Sequence, residues 1–323
     1  MTSTDKCQLI AVIGGGVIGG GWVARCLLNG ITVNLYDPDP TAQRKIDDIM
    51  INAKRAFDKL IDGPVPPQGK LHFTDSLASA VAGADLIIEA VPERLDIKQS
   101  VYRDIEAAAG ADTLIASSTS GILPSDLQDK MTQPDRLVVA HPFNPVYLLP
   151  LVEIVGGAKT SRAAIDRAMD LFQQLGMHPL HVRTEIPAFI ADRFLEAVWR
   201  EALWLVKDGV ATTAEIDDAI RYGFGLRWAQ MGLFETYRVA GGEAGMAHFI
   251  AQFGPCLKWP WTKLTDVPDL TDDLVTMIAD QSDRQSGAYS IRQLEQLRDD
   301  NLVAILRQLQ QHDWGAGQSV SAW

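Results

Sequence analysis

The chain has 323 residues, 47% of them hydrophobic, enough to fill one large or two ordinary domains. A formal net charge of -12 with no Lys/Arg cluster excludes a nucleic-acid backbone as partner. Cys7, Cys26 and Cys256 stand far apart and outside any CxxC spacing, which argues against a disulfide framework or a zinc site and fits a reducing cytoplasm, and no apolar segment reaches membrane-spanning length.

The run Leu9 to Ala24 follows Lys6 as a signal-peptide core would, yet six of its sixteen residues are glycine. It reads better as a strand, a glycine turn and a helix. Strand candidates follow at "QLIAVIG", "TVNLYD", "ADLIIEAV", "DTLIASS", "RLVVAH" and "LVEIVGG", separated by helical stretches. This alternation predicts an α/β fold: a Rossmann-type N-terminal domain with a mostly parallel sheet over residues 1–186. The stretch "DGPVPPQGK" at 62–70 reads as a proline-stiffened loop.

Past Pro187, placed in the first turn of a long helix, "FIADRFLEAVWREALWLVKDG" repeats apolar residues at helical spacing, which predicts a broad buried face ending at Gly209. Thr212-Thr-Ala-Glu215 reads as a capping box, and the remainder predicts an all-α C-terminal domain over 187–323 with a flexible tail "GAGQSVSAW".

Three motifs carry chemistry. Gly14-x-Gly16-x-x-Gly19 lies between strand and helix, where the first glycine makes a tight turn, the second admits a pyrophosphate and the third lets helix and strand pack. Asp37 ends the next strand, where a carboxylate accepts ribose hydroxyls and repels a 2′-phosphate, so NAD is favoured over NADP. In the second motif, His141-Pro-Phe-Asn-Pro145 stiffens an imidazole between two prolines after a strand, near Ser117-Ser-Thr-Ser120. Third, Glu153 on the next strand needs a partner if buried, and a histidine that takes a proton is a good one. His178 and His181 have a metal-like look without a third ligand, so no metal is expected.

These residues, with Glu89-Ala-Val-Pro-Glu93, Lys98 and "FIADR", resemble the L-3-hydroxyacyl-CoA dehydrogenase superfamily over residues 8 to about 240. The resemblance implies an NAD-dependent oxidoreductase with His141 as general base for a secondary alcohol, Glu153 as its orienting partner and Ser120 near the reacting hydroxyl. It also implies that Glu93, Lys98 and Asn144 approach the cofactor, and that a helical substrate and dimerisation domain makes a homodimer.

Two departures bear on the substrate. Asp192 stands where the family has asparagine, joining the catalytic set, and the segment before "LHFTDS" is short and lacks a lysine-rich hairpin for CoA phosphates. Both changes argue against a large polyanionic thioester, and the extra carboxylate suits a substrate carrying positive charge, which as a quaternary ammonium would be held by aromatic faces. With "ADRFLEAVWREALWLVKDG", the resemblance implies a small substrate carrying a quaternary ammonium and a carboxylate. "GFGLRWAQMGLFETY" at 223–237 supplies Trp228 for the cation, Arg227 or Arg193 for the carboxylate, and Phe143 adds a ring near the histidine; Phe234 and Tyr237 are assigned to packing. Two readings stay open beside this one: a short-chain 3-hydroxyacyl-CoA or gulonate-type dehydrogenase, and a dinucleotide-binding structural protein with idle catalytic residues, against which the Ser120, His141 and Glu153 set speaks.

Overall fold

The computed structural model describes residues 7–61, 63, 65–240, 245–254, 260, 262, 269, 271–274, 276–277 and 288–321; Cys256 lies outside them. They divide into two compact units, Met1–Ile190 with Arg298–Trp323, and Ala191–Leu297.

The first unit holds strands β1 (Leu9–Ile13), β2 (Thr32–Tyr36), β3 (Leu71–Phe73), β4 (Leu86–Glu89), β5 (Leu114–Ser117), β6 (Leu137–Pro142), β7 (Leu151–Gly156) and β8 (His178–Val182). Its helices are α1 (Val17–Leu28), α2 (Ala42–Leu60), α3 (Leu77–Val81), α4 (Leu95–Ala108), α5 (Pro124–Gln128) and α6 (Arg162–Gln174). They make one sheet in the order β3-β2-β1-β4-β5-β6-β7-β8, parallel except where β6 meets β7. Central strands such as "LIIE" and "LIAS" are buried at every position, as strands covered on both faces must be. Side chains of α1 and α6 fill one face around Val12 and Ile88, while α3, α4 and α5 fill the other around Ile13 and Ile115.

The six strand candidates are all present, and two more, β3 and β8, form the sheet edges. β3 has only three residues, two of them exposed, and β8 alternates exposed and half-buried positions. Short, polar edge strands resist pairing with other chains and give little hydrophobic signal in the sequence. His178 and His181 are three apart on β8, hence on opposite faces, so they do not converge on one point.

The division of the chain also differs from a single cut at 186. Helix α7 (Ala191–Lys207) begins after a turn at Pro187–Ile190 in which Ala188 and Phe189 take φ of 61° and 48°, so Pro187 precedes the helix rather than opening it. From Arg298 the chain belongs to the first unit again: Val303 and Leu306 of α11 (Ile291–Gln311) and Val320 of α12 (Gly317–Ser321) pack with Ala24, Phe57, Leu60 and Leu148. Within the segment expected as a tail, Gly317–Ser321 is helical and Val320 is buried.

In the second unit α7 closes on Gly209 at φ +68°, where Val210 N–H reaches Leu205 O at 2.9 Å and Gly209 N–H reaches Val206 O at 3.1 Å. That is the paired bonding of a glycine-terminated helix. Its buried side is narrower than the apolar spacing predicts: Leu203 and Val206 are buried, while Phe194, Leu195 and Trp199 are exposed. The capping box opens α8 (Thr213–Ala219) as expected. A π-helical turn, Ile220–Phe224, then leads into α9 (Gly225–Ala240), which breaks at Gly232 with φ 70°; α10 (Gly245–Phe253) follows. Phe234, assigned to the core on sequence, is 70% exposed, whereas Tyr237 stacks on Phe249 with centroids 4.6 Å apart.

The returning segment is tied down by a buried bond from Tyr147 Oη to the Asp299 carboxylate, 2.6 Å. Tyr147→Phe should destabilise the first unit by about 1–3 kcal/mol in urea unfolding, because a fully buried carboxylate loses a donor. A change below about 0.5 kcal/mol would show that Asp299 does not depend on this bond.

Candidate active site

The glycine turn sits at the carboxyl end of β1, where strand order reverses between β1 and β4 and open α/β sheets bind their ligands. Gly14 has φ +100°, and a Cβ there would lie 2.5 Å from Ala90 O; one on Gly19 would lie 1.8 Å from Gly14 O. A Cβ on Gly16 would meet nothing within 4 Å. The first and third glycines are therefore required by the fold, and the second faces open space. Gly16 also caps α1 without a side-chain bond, and the first turn of α1 carries no acid, which suits backbone N–H groups turned toward a phosphate.

Asp37 accepts from Gly15 N–H at 2.5 Å and from Asp39 N–H at 2.7 Å, one bond on each oxygen. A carboxylate oxygen accepts two bonds, so capacity remains for ribose hydroxyls. Lys45 pairs with Asp39 at 2.6 Å; this bond, with two from Thr41, holds the Asp39 carboxyl well below the usual carboxylate range. These residues fit NAD.

Beside the turn lies a polar cluster that the sequence motifs only partly indicate. Glu89, fully buried at the end of β4, accepts from Lys98 Nζ (2.7 Å), Tyr102 Oη (2.6 Å), Ser117 Oγ (2.7 Å) and Val91 N–H (2.8 Å). Burial, then the adjacent carboxylate, pushes the Tyr102 hydroxyl well above its ordinary range, so it remains a donor. Lys98, expected to approach the cofactor, is 1% exposed, and its ammonium faces Glu89, Val91 O (3.2 Å) and Glu93 (3.4 Å). Glu93 in turn accepts from the Thr119 hydroxyl, Ser120 N–H (3.0 Å) and Gly121 N–H (3.3 Å). Ser120 is exposed, held by its backbone on Glu93.

His141 and Glu153 face each other across the antiparallel β6–β7 pair, His141 Nδ1 lying 2.9 Å from Glu153 Oε2. The other carboxylate oxygen accepts Ile190 N–H at 2.9 Å. Phe143 meets the imidazole edge-on with centroids 4.9 Å apart, and Phe189 lies at 5.6 Å. With the proton on Nδ1 shared with Glu153, Nε2 is the nitrogen able to take a proton. Asn144 is exposed at the turn that follows.

The structure thus joins Gly14, Gly16, Gly19 and Asp37 in one group, Glu93, Lys98 and Ser120 in a second, and His141, Glu153 and Phe143 in a third. Asp192 and Arg193 occupy the first turn of α7, Arg227 and Trp228 the first turn of α9, all in the second unit; the Trp228 ring lies 4.6 Å from that of Phe224. Sequence reading passed over Tyr102, Phe189, Trp22 and Arg25. The i, i+4 spacing of Lys98 and Tyr102 on α4, facing a charged residue at the end of an apolar strand, was the available signal for the first of these.

Gly16→Ala should leave the melting temperature of the free protein unchanged while weakening NAD binding by about tenfold or more, since the added methyl enters only the open space. Gly14→Ala should lower the melting temperature with or without NAD. Equal effects of the two on the free protein would remove Gly16 from the binding surface.

Residues 9–186 match the 3-hydroxyacyl-CoA dehydrogenase NAD binding domain, and residues 189–267 match the C-terminal domain of the same family. A relative in Ruegeria pomeroyi, named L-carnitine dehydrogenase/betainyl-CoA thioesterase, is 63% identical over 95% of this chain, and this chain spans 63% of that relative's length. The L-carnitine dehydrogenase of Pseudomonas putida is 53% identical over 99% of this chain and 100% of its own. Among solved structures, a 5-formyl-3-hydroxy-2-methylpyridine 4-carboxylic acid 5-dehydrogenase, an NAD-dependent dismutase, superposes with a TM-score of 0.79 at 30% identity, covering 94% of this chain and 98% of its own. With both domain matches in chain order and a glycine turn, Asp37 and a His141–Glu153 pair in place, the chain belongs to the 3-hydroxyacyl-CoA dehydrogenase family.

Proposed function

We propose that the protein oxidises the 3-hydroxyl of L-carnitine to 3-dehydrocarnitine, with His141 as general base. The observation that carries the chemistry is the buried His141–Glu153 pair; the names and identities of the carnitine-oxidising relatives support the substrate. When bound, NAD supplies the acceptor for the carbinol hydride. The hydroxyl proton passes to Nε2 of His141, and Glu153 stabilises the imidazolium that results. Because Glu153 also holds Ile190 N–H, its carboxylate is fixed in the orientation that the ring needs. Ser120 sits near the reacting hydroxyl, and Glu93, Lys98 and Asn144 serve the cofactor side, Lys98 through Glu93.

The substrate's trimethylammonium cannot donate an N–H bond, so it is held by aromatic faces and neighbouring carboxylate charge. Trp228 and Asp192 take this role, with Phe143 beside the histidine and Arg193 or Arg227 on the substrate carboxylate. Phe194, Leu195 and Trp199 are 57%, 61% and 57% exposed on α7, an apolar stripe suited to a second copy of the chain in a homodimer. Buried free thiols at Cys7 and Cys26 suit a reducing cytoplasm, and among the described residues no helix is long and apolar enough to cross a membrane.

NADH formation at 340 nm should appear with L-carnitine and not with 3-hydroxybutyryl-CoA or gulonate; the reverse pattern would assign the chain to another branch. His141→Ala should lower kcat by about 10²–10⁴ with NAD affinity retained. Asp192→Asn and Trp228→Ala should each raise KM for L-carnitine, by about threefold to thirtyfold, and leave NAD binding unchanged. Unaltered carnitine kinetics would remove the residue concerned from the site.

A further inference from the structure

Glu89 is a carboxylate with no exposure and four donors, more than one strand end needs for itself. Two of those donors lead to the same short turn. Ser117 Oγ, bonded to Glu89 Oε2, also receives Thr119 N–H at 3.4 Å, which fixes where the turn leaves β5. Lys98, bonded to Glu89 Oε1, faces Glu93 with its remaining reach, and Glu93 gathers the Thr119 hydroxyl and the amides of Ser120 and Gly121. The turn is therefore gripped from both sides, and both grips converge on Glu89. Tyr102 Oη completes the same carboxylate from α4 without touching the turn.

We infer that Glu89 is a positioning residue for the turn Thr119–Gly121, setting the place of Ser120 through Ser117 on one side and through Lys98 and Glu93 on the other. The catalytic consequence rests on the proposed role of Ser120; the positioning itself does not. Its logic is electrostatic. Lys98 sits between two carboxylates, one buried and one nearly half exposed, with side-chain exposures of 0% for Glu89 and 47% for Glu93. The buried charge holds the ammonium in place at 2.7 Å, so the ammonium presents a fixed positive point to Glu93. Glu93, whose side chain is half exposed, is thereby kept where its Oε1 can collect three donors from the turn. Neutralising Glu89 without changing its shape removes the buried charge that fixes Lys98, leaving the ammonium with Val91 O and Glu93, and the geometry on which the turn depends is released.

The test uses Glu89→Gln in the full-length protein, with amide hydrogen exchange read residue by residue and kinetics measured in parallel. Exchange at the Ser120 and Gly121 amides should accelerate by about tenfold or more, while the amides of β6 and α6 keep wild-type rates. Under the proposed function, kcat should fall by about tenfold with KM for L-carnitine changed less than about twofold, and NAD affinity should weaken alongside, since Glu93 and Lys98 serve the cofactor side. Tyr102→Phe, which removes one donor and leaves the charge pair intact, should show the same local pattern at smaller size and serves if Glu89→Gln fails to fold. Unchanged exchange at Ser120 and Gly121 overturns the inference, as does a uniform acceleration across the whole sheet, the mark of a merely structural residue. Local acceleration with kcat unchanged would uphold the positioning and overturn the role of Ser120.

Discussion

An ionised carboxylate withdrawn from water is costly unless its oxygens are met by donors. The first unit accepts that cost twice beside its crevice, at Glu89 and at Glu153, both with no exposure. Each is satisfied by groups from separate parts of the chain: Glu89 from α4, β5 and the loop after β4, Glu153 from β6 and the turn before α7. Satisfying these oxygens obliges the surrounding loops to adopt one arrangement. The antiparallel register of β6 and β7 sets His141 directly opposite Glu153 as cross-strand partners.

The two carboxylates differ in what they hold. Glu89 faces an ammonium, two hydroxyls and an amide, so it is fully spent on structure around the loop of Ser120. Glu153 instead joins strand β6 to the turn before α7, one oxygen at the His141 imidazole and the other on the Ile190 amide. Phe143 and Phe189 pack against the imidazole and restrict its plane. Around Asp37 the same economy applies: backbone amides orient the carboxylate and leave each oxygen able to accept once more.

Much of this was legible in the residues, and the gaps have physical causes. The glycine turn, Asp37, His141 and Glu153 were readable because each combines an unusual residue type with a strand end. β3 gave no strand signal because a three-residue edge strand with two exposed side chains carries no alternating pattern. The return of Arg298 onward to the first unit was invisible to a linear reading, since the apolar positions of α11 say that a partner exists without saying which. Phe194, Leu195 and Trp199 show the reverse error: helical apolar spacing marks a face to be covered, and among the described residues these three are exposed. Phe189 gave no signal, because a non-glycine residue at positive φ is dictated by the turn it closes.

Helix α1 follows the glycine turn directly and packs on one face of the sheet. Its body, however, touches both loops of the candidate site: Trp22 Nε1 donates to Ser118 Oγ at 3.0 Å, and the Arg25 guanidinium donates to Val146 O and Leu149 O at 3.0 and 3.1 Å. Arg25 is fully buried and those carbonyls follow directly on the His141–Pro145 stretch. One rigid rod thus carries the phosphate end at its tip and braces the serine loop and the histidine loop along its flank. Distances among the three groups are set by helix pitch rather than by loop conformation, so a substitution on the inner flank of α1 would register as a fault in registry between cofactor and base, even though it touches neither.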